Sequence, residues 1–185
     1  MAQDIKKIIA QEYLKCAKDP AYFMKKYCYI QHPTRGRILF NLYPFQSEVL
    51  HLFKDNQFII TLKSRQLGIS TLAAAYSLWL MLFHKDKNVL ALATTQATAR
   101  NLVSKTMFMY DQLPKWLRLP AKEKNKLSLR LKNGSKITAK SSNADAARSE
   151  AVSLLLIDEA AFIDNIDETF TAAQQTLATG GQCMA

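Results

Sequence analysis

Short apolar runs alternate with longer helical segments through the middle of the chain, and this alternation constrains the fold more than any other feature of the sequence. The runs at residues 57–62 (QFIITL) and 88–94 (NVLALAT) have the length and apolar character of buried strands. A helical segment follows each run, at residues 70–83 and at about 96–112. Such alternation predicts βαβ units, and therefore an α/β fold with a mostly parallel sheet and helices on both faces.

The chain before this region predicts helices. Apolar residues recur at three- and four-residue spacing on both sides of Asp19-Pro20, a pair that ends one helix and begins another. Residues 37–43 alternate loosely enough for a short strand, and Pro44 stands where a third helix would begin. We therefore expect two parts, a helical lead-in at 1–42 and an α/β core at 43–185.

Charge and cysteine content narrow the functional classes. The chain carries 25 Lys and Arg against 15 Asp and Glu, and the net charge of +10 favours an acidic polymer such as nucleic acid, or a membrane face, as partner. Three cysteines without C-x-x-C spacing argue against a disulfide scaffold and a zinc site. The longest apolar run, 72–83, is interrupted by Ser77 and is too short to cross a bilayer, so we expect a buried helix in a cytoplasmic protein.

The turn between the first predicted strand and its helix has the context of a phosphate-binding loop, in which backbone N–H groups and a helix N-terminus hold an anion. Against the pattern G-x-x-x-x-G-K-[ST], Gly68 matches the second glycine and Ser70 the magnesium-binding hydroxyl. Lys63 replaces the first glycine, and Ile69 replaces the lysine. Lys63, entering from the strand side, or Arg65 would then supply the cation near the phosphates. Taken alone, an ordinary strand-to-helix turn fits the same residues.

A second buried strand ends in two acids. Residues 153–157 (SLLLI) precede Asp158 and Glu159, as in a Walker B element. Asp158 would hold Mg²⁺, directly or through water, and Glu159 would orient or deprotonate the attacking water. Most such acidic pairs merely cap the following helix. The position about 90 residues after the loop, on the same predicted sheet, favours a nucleotidase.

An adenine contact is predicted just upstream of the loop strand, in the segment Tyr43-Pro44-Phe45-Gln46. The amide of Gln46, on a rigid helix start, can make a bidentate contact with the N6/N7 edge of adenine. The ring of Tyr43 or Phe45 could stack on the base. The alternative is a hydrophobic helix start with a solvated glutamine.

Basic residues concentrate in one predicted β-hairpin. Alternating runs at 127–131 and 136–139 flank Asn133-Gly134, a strong hairpin signal. The stretch contains one acid, Glu123, and nine basic residues: Lys115, Arg118, Lys122, Lys124, Lys126, Arg130, Lys132, Lys136 and Lys140. An apolar underside with a basic outer face suits contact with a phosphate backbone, without sequence readout. A solvated hairpin face is an equally good interpretation.

Together these motifs resemble the ATPase domain of the large terminase subunit of tailed bacteriophages, the motor that packages DNA into procapsids. The resemblance covers about 43–185 and rests on YPFQ at 43–46, on SRQLG with its following Ser/Thr in the loop, and on LLIDEAAF at 155–162. Some terminases also place the loop lysine at the front of the motif, which supports Lys63. Arg148 precedes the acidic strand where the family often carries an arginine, and it would contact phosphate, a neighbouring subunit or a structural partner.

The resemblance implies a RecA-like P-loop NTPase fold of the additional-strand, catalytic-glutamate type, with ATP and Mg²⁺ as cofactors. It implies catalytic roles for Glu159 and for Lys63 or Arg65, and a Mg²⁺ site at Ser70 and Asp158. We expect nucleotide contacts at Tyr43, Gln46, Lys63, Ser64, Arg65, Gln66, Leu67, Gly68, Ile69, Ser70 and Thr71.

The implied partners are double-stranded DNA, other copies of the chain in a ring motor, the portal protein and the small terminase subunit, with no membrane. The implied location is the cytoplasm of the infected bacterial host. The family's coupling strand would begin near the last residues, so we expect an ATPase core that is incomplete at its C-terminus and weak or inactive alone. Two alternatives stay open: a DNA-binding module whose degenerate site does not hydrolyse nucleotide, and a fragment of a helicase-type motor.

Overall fold

The computed structural model describes residues 2–142, 151–177 and 180–185. Within them the chain forms six α-helices, nine strands and a short 3₁₀ turn at Ala160–Phe162. The helices are α1 (Ala2–Lys18), α2 (Pro20–Tyr27), α3 (Pro44–Asp55), α4 (Ile69–Phe83), α5 (Gln96–Gln112) and α6 (Ile166–Leu177). The strands are β1 (Tyr29–His32), β2 (Gly36–Leu39), β3 (Phe58–Ile59), β4 (Asn88–Ala93), β5 (Ala121–Lys124), β6 (Ser128–Leu131), β7 (Lys136–Ser141), β8 (Leu154–Ile157) and β9 (Gln182–Met184).

Seven strands form the main sheet, in the order β3-β9-β8-β4-β7-β6-β5. The pairings from β3 to β7 are all parallel, whereas β6 and β5 add antiparallel strands at one end. The predicted basic hairpin, β6–β7, is therefore part of this sheet, because β7 pairs with β4 on its other side. The α/β fold with a mostly parallel sheet is confirmed.

Both faces of the sheet are covered, because the central strands are apolar on either side. Alternate residues of β4 divide between two clusters: Val89 and Ala91 pack with α4 and α5, while Leu90 and Leu92 pack with α6. The first cluster is the larger and includes the helix α4, of which nearly every residue is buried. Helices on both faces are thus also confirmed.

The N-terminal helices pack on the same core. Asp19 begins α2, and its carboxylate accepts a hydrogen bond of 2.8 Å from the backbone N–H of Ala21, with Pro20 at the first helical position. The indole N–H of Trp79 on α4 donates to the carbonyl of Cys16 at 2.8 Å. Two helices before residue 28 are confirmed. The boundary of the lead-in at 42 stays a prediction.

Three local differences from the sequence expectations have physical reasons. The strand expected at 57–62 is shorter, because β3 pairs in the described part of the chain only with β9 and then leaves the sheet. The loosely alternating residues 37–43 form a strand only at their start, as β2, which pairs with an unexpected β1. No alternation marks β5, since every residue of Ala121–Lys124 is exposed.

Candidate functional site

The predicted site lies where the carboxyl ends of β3 and β8 meet the N-terminus of α4, the usual position for ligands in an open parallel sheet. A cavity of about 290 Å³ opens here. Its walls include five residues singled out from the sequence: Lys63, Arg65, Ser70, Asp158 and Glu159. The structure therefore brings together groups that are about 90 residues apart in the chain.

Gly68 ends the loop and caps α4 in the left-handed conformation, with φ 72°. Any side chain would be strained there, and a Cβ would also lie 2.8 Å from the amide nitrogen of Gln46. The first N–H groups of α4 follow directly, and in any α-helix these groups have no intrahelical partner. Of the other loop positions predicted to touch nucleotide, Ser64, Gln66 and Leu67 are exposed, and Thr71 is half-buried in the first turn of α4.

The hydroxyl of Ser70 donates a 3.0 Å hydrogen bond to a carboxylate oxygen of Asp158. This pair fits Mg²⁺, which prefers hard oxygen ligands and is usually held by one or two protein oxygens together with water and phosphate. In the part of the chain that the structure describes, no cluster of three or more His, Cys, Asp or Glu could hold a metal ion. Ser70 and Asp158 are thus the residues through which the chain would bind Mg²⁺.

Glu159 follows Asp158 with its side chain exposed and its backbone in the left-handed region, at φ 56°. Four non-glycine residues of the described chain have positive φ. Asp86 and Asn165 are of types that tolerate this conformation, whereas Gln66 and Glu159 are not. Both of these strained residues belong to the predicted site, and backbone strain of this kind concentrates at functional positions.

Several cations stand near the cavity, and Ile69 is turned away from their role. Ile69 is 7% exposed and packs in the core, although it occupies the position of the usual loop lysine. Lys63 and Arg65 are both exposed and both line the cavity. The choice between them stays open.

Lys105 is a charged neighbour of the site that sequence reasoning missed. It is half-buried on α5, one turn after Leu102, which lines the cavity. Burial lowers the pKa of Lys105, while the charge of Asp158 raises it and that of Lys63 lowers it further. No motif marks this lysine, because only the packing of α5 beside α4 brings it to the acids.

The segment predicted to contact adenine has two parts that differ in exposure. The rings of Tyr43 and Phe45 stack with centroids 5.8 Å apart and planes 7° from parallel, on the surface. Gln46 is 2% exposed, and both atoms of its amide bond to backbone groups. The solvated glutamine considered from the sequence is therefore wrong, and a contact of Gln46 with adenine, still a prediction, would have to replace these bonds.

The basic residues of the hairpin region lie away from this cavity along β5, β6 and the segment before them. Lys122, Lys126, Arg130 and Lys132 are exposed, and Lys124 forms an ion pair of 2.7 Å with Asp111. The leucines of β6, Leu129 and Leu131, are buried as the alternation predicted. Arg148 lies outside the described residues. No helix in the described part of the chain is long and apolar enough to span a membrane.

Comparison with known proteins identifies relatives of the whole fold. The profile of one family, described as terminase large subunit, T4likevirus-type, N-terminal, matches residues 60–183. The large terminase of bacteriophage HK97 superposes on 91% of the chain with a TM-score of 0.71 and 18% identity. The ATPase domain of the large terminase of Thermus phage P74-26 covers 78% at a TM-score of 0.61 and 17% identity. The large terminase of another thermophilic bacteriophage, in a complex with ADP, also covers 78%, at 0.61 and 16%.

The share of each relative differs. The chain spans 36% of the HK97 protein, 63% of the P74-26 domain and 38% of the ADP-bound terminase. At these identities the structures show the fold, which is the RecA-like α/β fold of terminase ATPase domains with β9 inserted between the loop strand and the acidic strand. Since the family profile matches about two thirds of the sequence, the chain belongs to the terminase large subunits of the T4likevirus type and represents their N-terminal region.

Proposed function

We propose that the chain binds ATP with Mg²⁺ and hydrolyses it as the ATP-driven part of a motor that moves double-stranded DNA into a procapsid. The observation that carries the proposal is the bond between Ser70 and Asp158, which joins the loop to the acidic strand at one cavity. The relatives support it, because the P74-26 structure is called an ATPase domain and the terminase of the other thermophilic phage is in complex with ADP.

In this proposal each residue has a stated task. The loop and the first N–H groups of α4 hold the phosphate oxygens, and Lys63 or Arg65 neutralises part of their charge. Mg²⁺ held by Ser70 and Asp158 would bridge phosphate oxygens and offset developing charge. A carboxylate oxygen of Glu159 orients the attacking water and accepts its proton.

The motor needs DNA and further subunits, which we also propose as partners. The exposed basic residues of β5 and β6 would contact the phosphate backbone of duplex DNA without reading its sequence. Other copies of the chain in a ring, the portal protein and the small terminase subunit complete the proposed assembly, in the cytoplasm of the infected host. We also propose that nucleotide contacts lie in 43–185, with 1–42 as a helical lead-in.

A second candidate function rests on Ile69. Because the usual loop lysine is replaced by a residue buried in the core, the chain could instead be a DNA-binding module that holds nucleotide without hydrolysing it. A helicase-type motor fragment has the same kind of core, and no residue described in the structure favours it over the terminase-type motor.

Replacement of Glu159 tests the proposal. In single-turnover reactions with protein in excess, Glu159→Gln should reduce hydrolysis of MgATP at least about 100-fold, because it removes the base and keeps the shape. Binding measured by calorimetry should stay within about twofold, since the loop and metal ligands are intact. Glu168→Gln, an exposed glutamate on α6, serves as control and should change neither quantity.

Two results would redirect the interpretation. Hydrolysis that survives Glu159→Gln at the wild-type rate would contradict the assignment of the catalytic base. Binding of MgATP without detectable hydrolysis by the wild-type chain would favour the DNA-binding module.

A further inference from the structure

Gln46 joins two parts of the site that are far apart in the sequence. Its side-chain oxygen accepts a 3.0 Å hydrogen bond from the N–H of Tyr43, at the start of α3. Its side-chain nitrogen donates a 2.9 Å bond to the carbonyl of Leu67, in the phosphate-binding loop. A single buried amide therefore links the aromatic pair Tyr43–Phe45 to the residue that precedes Gly68.

The burial of Gln46 makes this link energetically consequential. A buried amide that loses its acceptor keeps its full desolvation cost, so the bond to Leu67 resists exchange for a contact elsewhere. Gly68 lies so close that an added Cβ would be 2.8 Å from the nitrogen of Gln46. The loop's left-handed residues, Gln66 and Gly68, flank the bonded carbonyl on either side. The amide thus contacts the loop at the point where its backbone is most constrained.

We propose that Gln46 is a positioning residue, which fixes the phosphate-binding loop through the carbonyl of Leu67 and does not read the nucleotide base. The inference rests on the proposed function, because it concerns the same loop and the same ligand. Base discrimination, where it occurs, then belongs to other groups. Gln46 contributes equally to binding any ligand that carries the triphosphate.

Ligands that differ in the base separate the two roles. We would measure binding of MgATP, MgGTP and Mg²⁺–inorganic triphosphate by calorimetry to the wild type and to Gln46→Met, which keeps the side-chain length and removes both hydrogen bonds. All three affinities should fall by the same factor, about tenfold, the value of one buried hydrogen bond. A loss confined to MgATP, with triphosphate binding unchanged, would overturn the proposal.

Hydrogen exchange provides a readout that needs no nucleotide. In Gln46→Met the amides of residues 65–71 should exchange at least about tenfold faster than in the wild type, because the loop has lost its brace. Gln46→Ala should behave alike if the larger variant folds poorly. The control Gln11→Ala, an exposed glutamine on α1, should leave the loop unchanged.

The two measurements keep the failures apart. Faster exchange limited to residues 44–48, with the loop amides unchanged, would show that Gln46 only caps α3 and would overturn the proposal. A wild-type chain that binds none of the three ligands would refute the proposed function, while the exchange data would still decide whether Gln46 braces the loop.

Discussion

At the scale of single residues, the main chemical question is which cation replaces the missing loop lysine. Phosphate oxygens carry several negative charges, and a loop of backbone N–H groups offers only partial charges in return. Ile69 supplies packing to the core instead of charge. Lys63 and Arg65 lie on the wall of the cavity with Ser70, so either can approach a bound phosphate.

Alanine substitutions distinguish these residues. If Lys63 has the role, Lys63→Ala should weaken MgATP binding by about 10- to 100-fold, the value of one charge-assisted hydrogen bond. Ile69→Ala should change binding far less but destabilise the fold by about 2–5 kcal/mol, because it leaves a cavity in the core. Calorimetry and thermal unfolding measure the two effects. Small losses for Lys63→Ala beside a large one for Arg65→Ala would move the role to Arg65.

At the scale of elements, one carboxylate holds α1 against α2. Glu12 on α1 accepts hydrogen bonds from the hydroxyls of Tyr22 and Tyr27, at 2.6 and 2.7 Å. The ammonium of Lys26 lies 2.6 Å from the same oxygen. The bond from Lys26, followed by those from the two tyrosines, lowers the pKa of Glu12 to about 2. All these donors stabilise the ionised form, so the junction of the two helices depends on that charge.

The lowered pKa of Glu12 predicts an acid-sensitive junction. A carboxylate whose folded pKa lies below its unfolded value of about 4.3 adds stability above that pH, and this contribution disappears as the pH falls towards 2. The difference in melting temperature between wild type and Glu12→Gln should therefore be largest near pH 6 and shrink steadily below about pH 4. Glu48→Gln, an exposed glutamate on α3, is the control. A difference that stays constant down to pH 2.5 would refute the role of the charge.

The basic hairpin allows a second test at this scale. Reversal of Lys126, Arg130 and Lys132 to Glu should weaken binding to duplex DNA and flatten its salt dependence, since each lost phosphate contact lowers the log–log slope by about 0.9. A matched control reverses Lys6, Lys7 and Lys18, which are exposed on α1, and changes the net charge equally. Equal effects of the two triple variants would show that only net charge matters. An unchanged slope in the hairpin variant would make this face a solvated surface.

At the scale of the whole molecule, periodicity predicted the buried elements well and the edges poorly. The helices α4 and α5 and the strands β4 and β8 lie within one residue of their expected bounds, because apolar spacing reflects burial directly. The strand β5 was missed, since it is exposed along its length, and β3 is shorter than expected, since it has few partners. The residues gathered at the cavity followed from motif spacing. Lys105 and the burial of Gln46 did not, because they depend on tertiary packing between elements.

The strand β9 joins the two halves of the site. Within the described residues β3 pairs only with β9, and β9 pairs in turn with β8, which leads to Asp158. The N–H of Cys183 donates 2.8 Å to the carbonyl of Gln57, just before β3, and the side chain of Cys183 is buried. The position of the loop relative to Asp158 therefore depends on a strand that contributes no residue to the predicted chemistry.

A proline in β9 tests this dependence. Cys183→Pro removes the N–H that bonds Gln57, leaves that carbonyl unpaired and loses packing, so it should destabilise the fold by about 3 kcal/mol or more. At temperatures where the variant is still folded, MgATP binding should also fall, because β3 and its loop are no longer held beside β8. Lys122→Pro is the matched control, since Lys122 lies at a register shift in the outermost described strand, where proline is tolerated. A folded Cys183→Pro variant that binds MgATP as tightly as the Lys122→Pro control would show that the loop is positioned without β9.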